Sequence, residues 1–201
     1  MAARPRSIES RGHEPELHER EPLRILSSAH LAEGPWGELS EFEFGLIVAT
    51  HAFDRWAVRC MAAAGMPDLT ITDVLVLHHV HHRGKGKKLA DICFTLNYED
   101  AHVVAYALRK LAGLGLVQGE KIGKEVFHST TAEGAALVER YREVRERCLI
   151  ASVPERLAGV SAQRGEGASS GGGRDELAWL ARTLRTLSGL YDQAARAAAS
   201  L

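Results

Sequence analysis

Three groups of side chains in this 201-residue chain are of types that do chemistry. The densest is His78-His79-Val80-His81-His82, where His78 and His82 stand four apart, the spacing at which two imidazoles on one helix face can share a metal such as Zn²⁺. No cysteine or carboxylate at ligand spacing flanks it. The simpler reading is that some of these histidines are half-buried core members and others sit at a helix C-terminus, where an imidazolium is favoured. No metal is expected. The second group is Cys60, Cys93 and Cys148, an odd count without a Cys-x-x-Cys pair, which suits a reducing compartment. Cys60 and Cys93 fall on apolar helix faces, and Cys148 is the one expected to be reachable. The third group is basic: Lys85, Lys87 and Lys88 around two glycines, then Arg109 with Lys110, then Lys121 and Lys124. Cations at such intervals either solvate loops or meet phosphates. A nucleophile elbow, a phosphate loop and a carboxylate pair are all missing, so neither an enzyme nor a cofactor is expected.

The elements that would position these residues can be read along the chain. From Met1 to Arg24 the residues are charged and almost free of large apolar side chains, and an N-terminal arm, partly disordered, is expected over residues 1–39. Ser40 with Glu43 reads as a capping box opening a long helix from Glu41 to about Ala64, with an apolar face of Leu46, Ala49, Phe53, Trp56, Ala57 and Cys60. Thr70 or Thr72 caps a second helix that runs to Arg83, where Gly84-Lys85-Gly86-Lys87 breaks it. A short helix over Lys88–Leu96 follows, and a fourth spans Tyr98–Leu114, burying Ala101, Val104, Ala105, Leu108 and Leu111 and stopping at Gly115. Residues 116–130 make a β-hairpin around a glycine turn. Thr131 opens a helix reaching about Val153. A Gly/Ser-rich linker is expected over 156–174, and a C-terminal amphipathic helix over 175–201 with the stripe Leu177, Leu180, Leu184, Leu187 and Tyr191.

Helix, helix, short helix, helix, hairpin, helix is the order of a winged helix-turn-helix, and the fold class is therefore mostly α with a small β wing and long flanking dimerisation helices. In that architecture the helix after the turn enters the major groove, about 12 Å wide, and the hairpin reaches the neighbouring phosphates. Three pieces carry a narrower likeness: Lys88-Leu89-Ala90-Asp91-Ile92, then Leu108 to Val117 with its Leu-Ala-Gly-Leu-Gly-Leu-Val close, then Thr131-Ala132-Glu133-Gly134. In order and spacing they resemble the MarR family of winged-helix transcription regulators, directly over Leu69–Gly134 and, with the flanking helices, over a domain of residues 40–155.

The resemblance implies that the recognition helix, 98–114, presents His102, Val103, Tyr106, Arg109 and Lys110 to DNA, with Tyr106 and His102 near base edges. Lys85, Lys87 and Lys88 would meet phosphates before it, and Lys121 and Lys124 from the wing, 116–130. The wing has Ile122-Gly123-Lys124 where many members carry Asp-x-Arg, and Tyr98-Glu99-Asp100 places acids at the start of the recognition helix. Overall charge is near balance, 25 basic against 26 acidic residues, so a DNA partner must rest on local charge. From Arg83 to Thr130 there are eight basic and five acidic residues, a local surplus that supports it. The expected function is a homodimeric regulator of double-stranded DNA, open to a small-molecule effector between the dimer helices and the winged module. The alternative is a winged-helix protein-interaction module. No run of about 18 apolar residues occurs, so no membrane partner is expected and a cytoplasmic location is.

Overall fold

The computed structural model describes residues 36–153 and 172–201. Within them the chain divides between His51 and Ala52 into two units. Helix α1 spans Gly37–Ala63, α2 Ile71–His81, α3 Leu89–Leu96 and α4 Ala101–Gly113. Strands β1, Val117–Ile122, and β2, Glu125–Thr130, pair antiparallel, followed by α5, Ala132–Cys148, and α6, Gly172–Ala198. The mostly helical winged order is therefore present. The expected arm falls largely on residues 1–35 and the linker largely on 156–171, both outside the described residues.

Several boundaries differ from expectation for local reasons. Helix α1 starts at Gly37, so Ser40 lies inside it rather than capping it, because Glu38 and Leu39 are good helix formers and extend the helix backward. Its expected apolar face is buried only near the C-terminal end, at Ala57 and Cys60, joined by Met61 and Ala64, while Phe53 is 51% exposed. Helix α4 starts at Ala101, not Tyr98. Asn97 ends α3 in the left-handed conformation at φ 57°, and Tyr98 is held by two bonds that no helix would allow it. Its N–H donates to Cys93 O at 2.9 Å, and its hydroxyl donates to Thr72 Oγ1 at 3.1 Å. That shift exposes Ala101, leaves Ala105 half-buried and makes Val104, Ala107, Leu108 and Leu111 the buried face. Helix α5 ends at Cys148 instead of Val153, passing into a 3₁₀ turn at Ile150–Ser152. Helix α6 begins at Gly172, so Gly172–Arg174 are helical and not linker.

One core spans the second unit. Met61 of α1, Val74, Val76, Leu77 and Val80 of α2, Ile92 of α3, Val104 and Leu111 of α4, and Leu137 of α5 are all essentially inaccessible to solvent. Arg140 Nε donates to Ala64 O at 2.8 Å, so α5 supplies a partner to a carbonyl just past the end of α1. Asp73 is the buried charged residue of this core, 2% exposed at the first turn of α2. Its carboxylate accepts from Thr70 N at 2.8 Å, Thr70 Oγ1 at 2.9 Å and Lys110 Nζ at 2.7 Å, and Lys110 Nζ also donates to Asp68 O at 2.7 Å. Thr70, not Thr72, is thus the cap of α2, with Asp73 completing a capping box.

The wing is a two-residue hairpin running from Val117↔Thr130 to Ile122↔Glu125, and Gly123 takes φ 66° at the first turn position, where a side chain would be strained. Lys87 adds a one-residue third strand: its N–H donates to His128 O and its carbonyl accepts from His128 N–H, both at 2.8 Å. At the other end of the wing, Thr131 N–H donates to Leu116 O at 3.1 Å, and Thr131 Oγ1 donates to Gly115 O at 2.6 Å while accepting from Gly134 N at 3.1 Å. This junction leaves no room at Gly134, where a Cβ would overlap the Leu116 carbonyl oxygen.

Two stability results are expected. Gly134→Ala must push β1 and α5 apart at backbone, and should cost about 1–3 kcal/mol, the range for overpacking a closed site; an unchanged denaturation midpoint would contradict the contact. Lys110→Ala strands the Asp73 carboxylate and should cost about 3 kcal/mol, the lower end for breaking a buried pair because the ammonium is partly exposed. Urea titration checks both, with Arg109→Ala as the exposed control expected to lie within about 0.5 kcal/mol of the parent.

Candidate nucleic-acid interface

The face of α4 opposite its buried residues carries His102, Val103, Tyr106 and Arg109, a group three and four apart that therefore shares one side of the helix. All four are exposed, Tyr106 to 65% and Val103 to 40%. Asp100 caps the helix, its Oδ1 accepting from His102 N at 2.8 Å. Glu99 lies in the preceding turn and Asp100 spends its carboxylate on the cap, so the acids expected at the start of the recognition helix form its lead-in.

Two shallow depressions flank this face. One, of about 400 Å³, is bordered by Thr70, Thr72, Asp100, His102, Val103 and Tyr106. The other, of about 310 Å³, lies between Leu89 of α3, Ala105, Leu108, Arg109 and Ala112 of α4, and Gly119 and His128 of the wing. Arg109 thus stands beside the wing, while Tyr106 and His102 face the N-terminal side of α2. Burial lowers the pKa of His128 below the ordinary histidine value, which favours its neutral form at the wing's base.

The basic residues separate into two kinds. Lys85 in the loop, Arg109 on α4, and Lys121 and Lys124 on the wing are exposed. Lys87, Lys88 and Lys110 are half-buried and committed to neighbours. Lys87 Nζ donates to His82 O at 3.0 Å, and Lys110 is held by Asp73. Lys88 Nζ lies 2.5 Å from Glu125 Oε2 and 5.4 Å from the centroid of the Phe127 ring, so the residue before α3 is tied to strand β2. The Glu125 hydrogen bond raises the Lys88 pKa and keeps it charged. Sequence reading did not single out Glu125 or Asp73, because nothing local marks a carboxylate whose partner lies 37 residues away on another element.

The histidine cluster disperses in space. His78 stacks edge-on against Tyr141, ring centroids 4.4 Å apart at 68°, and its Nε2 has no hydrogen-bond partner among the described residues. Burial, then the positive neighbours His81 and Arg145, hold its pKa below the ordinary value, and burial drives Tyr141 up to about 12. His79 is lowered by burial and then by Lys87 and His82. His81 Nδ1 is 3.2 Å from Thr130 Oγ1, bracing α2 against the wing, and His82 starts the 3₁₀ turn in an extended conformation. Among the described residues, no group of three or more histidine, cysteine or acidic side chains is placed to hold a metal ion. Cys60 and Cys93 are buried, Cys60 with its pKa raised by burial, and Cys148 is exposed.

Among the described residues no helix is long and apolar enough to cross a membrane. Residues 69–134 match a family described as a winged helix DNA-binding domain. No curated relative matches the sequence. Among solved structures the chain is similar to MepR of Staphylococcus aureus bound to DNA, at 18% identity over 73% of this chain and 97% of that one, with a TM-score of 0.52. It is also similar to NadR in complex with 4-hydroxyphenylacetate, at 21% identity over 73% and 91% of the two chains and a TM-score of 0.50. A multiple antibiotic-resistance repressor, MarR, of Listeria monocytogenes matches at 16% identity over 79% and 97%, with a TM-score of 0.42. Residues 69–134 thus match a winged helix DNA-binding domain, and the chain shares the fold of MepR and NadR.

Proposed function

We propose that this protein is a dimeric transcription regulator that binds double-stranded DNA through α4 and the wing. The observation that carries the reading is the exposed face of α4, where a half-exposed aromatic, an imidazole, an aliphatic and a guanidinium project together from a helix rigidly backed by the core. A tyrosine hydroxyl and an imidazole can hydrogen-bond base edges, a valine side chain suits the thymine methyl, and a guanidinium suits guanine or phosphate. Lys85, Lys121 and Lys124 supply phosphate contacts on either side, and Lys88 joins them once released from Glu125. Lys87 and Lys110 act as anchors that fix the loop and the helix.

Dimerisation is supported by apolar side chains left uncovered within one chain. In α1 these include Ile47, Val48 and Phe53, and in α6 Leu177, Leu180, Leu184 and Leu190, each 43–54% exposed. A C2 dimer built on such helices presents two recognition helices to half-sites about one helical turn apart, and so reads a pseudo-palindrome. Modulation by a small-molecule effector is part of the proposal, supported by the likeness to NadR, which was solved with 4-hydroxyphenylacetate. The protein-interaction reading loses one of its grounds, since the acidic start of the recognition helix is a cap and a turn.

The test is selection from random duplexes at about 50 mM and 200 mM salt, an interval over which several phosphate contacts cost orders of magnitude in affinity. A palindrome with a steep salt slope is expected; no retention at low salt would refute the reading. With the selected duplex, Tyr106→Ala should lose about 1–3 kcal/mol and relax base preference, whereas Lys124→Ala should weaken all duplexes alike and reduce the salt slope by about one. Leu180→Glu combined with Leu184→Glu should shift the protein toward monomer in sedimentation equilibrium, and an unaltered dimer would remove α6 from the interface.

A further inference from the structure

The wing is held to the helix-turn-helix by side chains as well as by backbone. Lys88 immediately precedes α3, and its ammonium lies 2.5 Å from Glu125 Oε2 at the first position of β2. Both side chains are open to water, Lys88 to 36% and Glu125 to 53%, so the pair can exchange partners without unfolding anything. The backbone bridge between Lys87 and His128 keeps the wing docked beside this point whether or not the ion pair is made. On the DNA reading above, Lys88 lies on the phosphate-contacting side between Lys85 and the wing lysines. A cation already matched by a carboxylate reaches a phosphate only by giving up that partner.

We infer that Glu125 is an affinity-setting residue: it competes with a DNA phosphate for Lys88, so that the free protein holds one of its phosphate contacts closed and binding must exchange carboxylate for phosphate. This rests on the DNA reading and adds to it a built-in brake located in the wing. The role is one of positioning, because Glu125 acts through Lys88. It also gives a role to one of the two glutamates, Glu120 and Glu125, that offset the two lysines of the wing where a DNA-binding surface needs positive charge.

The test is a double-mutant cycle on the selected duplex, using full-length parent, Glu125→Gln, Lys88→Gln and the double variant, each at several salt concentrations. Glu125→Gln is expected to bind about twofold to fivefold more tightly at low salt, the size of an exposed ion pair no longer broken. Its salt slope should stay close to the parent's, because Lys88 reaches the phosphate in both, whereas Lys88→Gln should flatten the slope by about 0.9, one phosphate fewer. In the Lys88→Gln background the same change should do nothing beyond a small rise with an unchanged slope. An equal gain in both backgrounds would mean general repulsion between Glu125 and DNA, and would overturn the competition. Weaker binding by Glu125→Gln with a lowered denaturation midpoint would assign Glu125 to wing stability and overturn it also. If all four proteins fail to retain any duplex, the DNA reading itself falls and the inference with it, a result distinct from a parent that binds and a variant that gains nothing.

Discussion

The carboxylate of Asp73 is the constraint on which the recognition surface depends. A buried charge is tolerated only when its lone pairs are met, and here three donors meet them: the Thr70 amide, the Thr70 hydroxyl and the Lys110 ammonium. The first two start α2. The third comes from the last turn of α4, so a single group fixes where one helix begins and how another is rotated about its own axis. With Lys110 bent down to Asp73, the residues one, four, seven and eight positions before it keep the open flank of the helix. Those are Arg109, Tyr106, Val103 and His102. The same contact that costs the protein a potential DNA cation therefore aims the four side chains that could read a sequence.

The wing depends on a different kind of constraint, steric and made of backbone. Gly115 turns the chain out of α4 at φ 71°, Thr131 caps α5 while its own hydroxyl donates back to Gly115 O, and Gly134 lets α5 approach the Leu116 carbonyl more closely than any side chain would permit. Strand β1 is consequently fixed at its base by helices on both sides. At its far edge the sheet is closed by the Lys87–His128 bridge, and His81 braces Thr130 from α2. A hairpin of two strands alone is marginal in water. These ties make it a rigid arm whose tip lysines keep a defined distance from α4.

How much of this the sequence carried differs by the range of the interaction. Elements set by local pattern were legible: the αL stop at Gly115, the glycine hairpin, the Thr131 cap and the burial of Val104, Leu108 and Leu111 in α4 all follow from residues within one or two turns of each other. The boundaries that moved were those decided by tertiary contacts. Tyr98 has ordinary helix propensity, and only its bonds to Cys93 O and Thr72 take it out of α4. The apolar face of α1 was legible as a pattern, yet the pattern does not distinguish residues that meet this chain's core, such as Cys60, from those left uncovered, such as Phe53. In the candidate site the periodicity that grouped His102, Val103, Tyr106 and Arg109 was readable. That Lys110 is committed to Asp73, and that Lys88 is matched by Glu125, was not, because each carboxylate partner is 37 residues distant.

Near-neutral net charge is compatible with a DNA-binding surface once these pairings are taken into account. What a phosphate meets is not the tally of lysines and acids but the cations left uncompensated at contact distance, since screening removes the rest within about 8–10 Å. Asp73 and Asp100 are spent inside the fold, on an ion pair and a cap, and do not act as free surface charge opposing DNA. The exposed cations beside α4 and on the wing are then Lys85, Arg109, Lys121 and Lys124, and Asp91, Glu99 and Glu120 are the exposed acids left against them. Glu125 is an exposed acid that meets a cation a phosphate would otherwise claim. A regulator must be able to leave its site as well as find it, and a contact that is closed in the free protein favours leaving without removing any of the residues that read the bases.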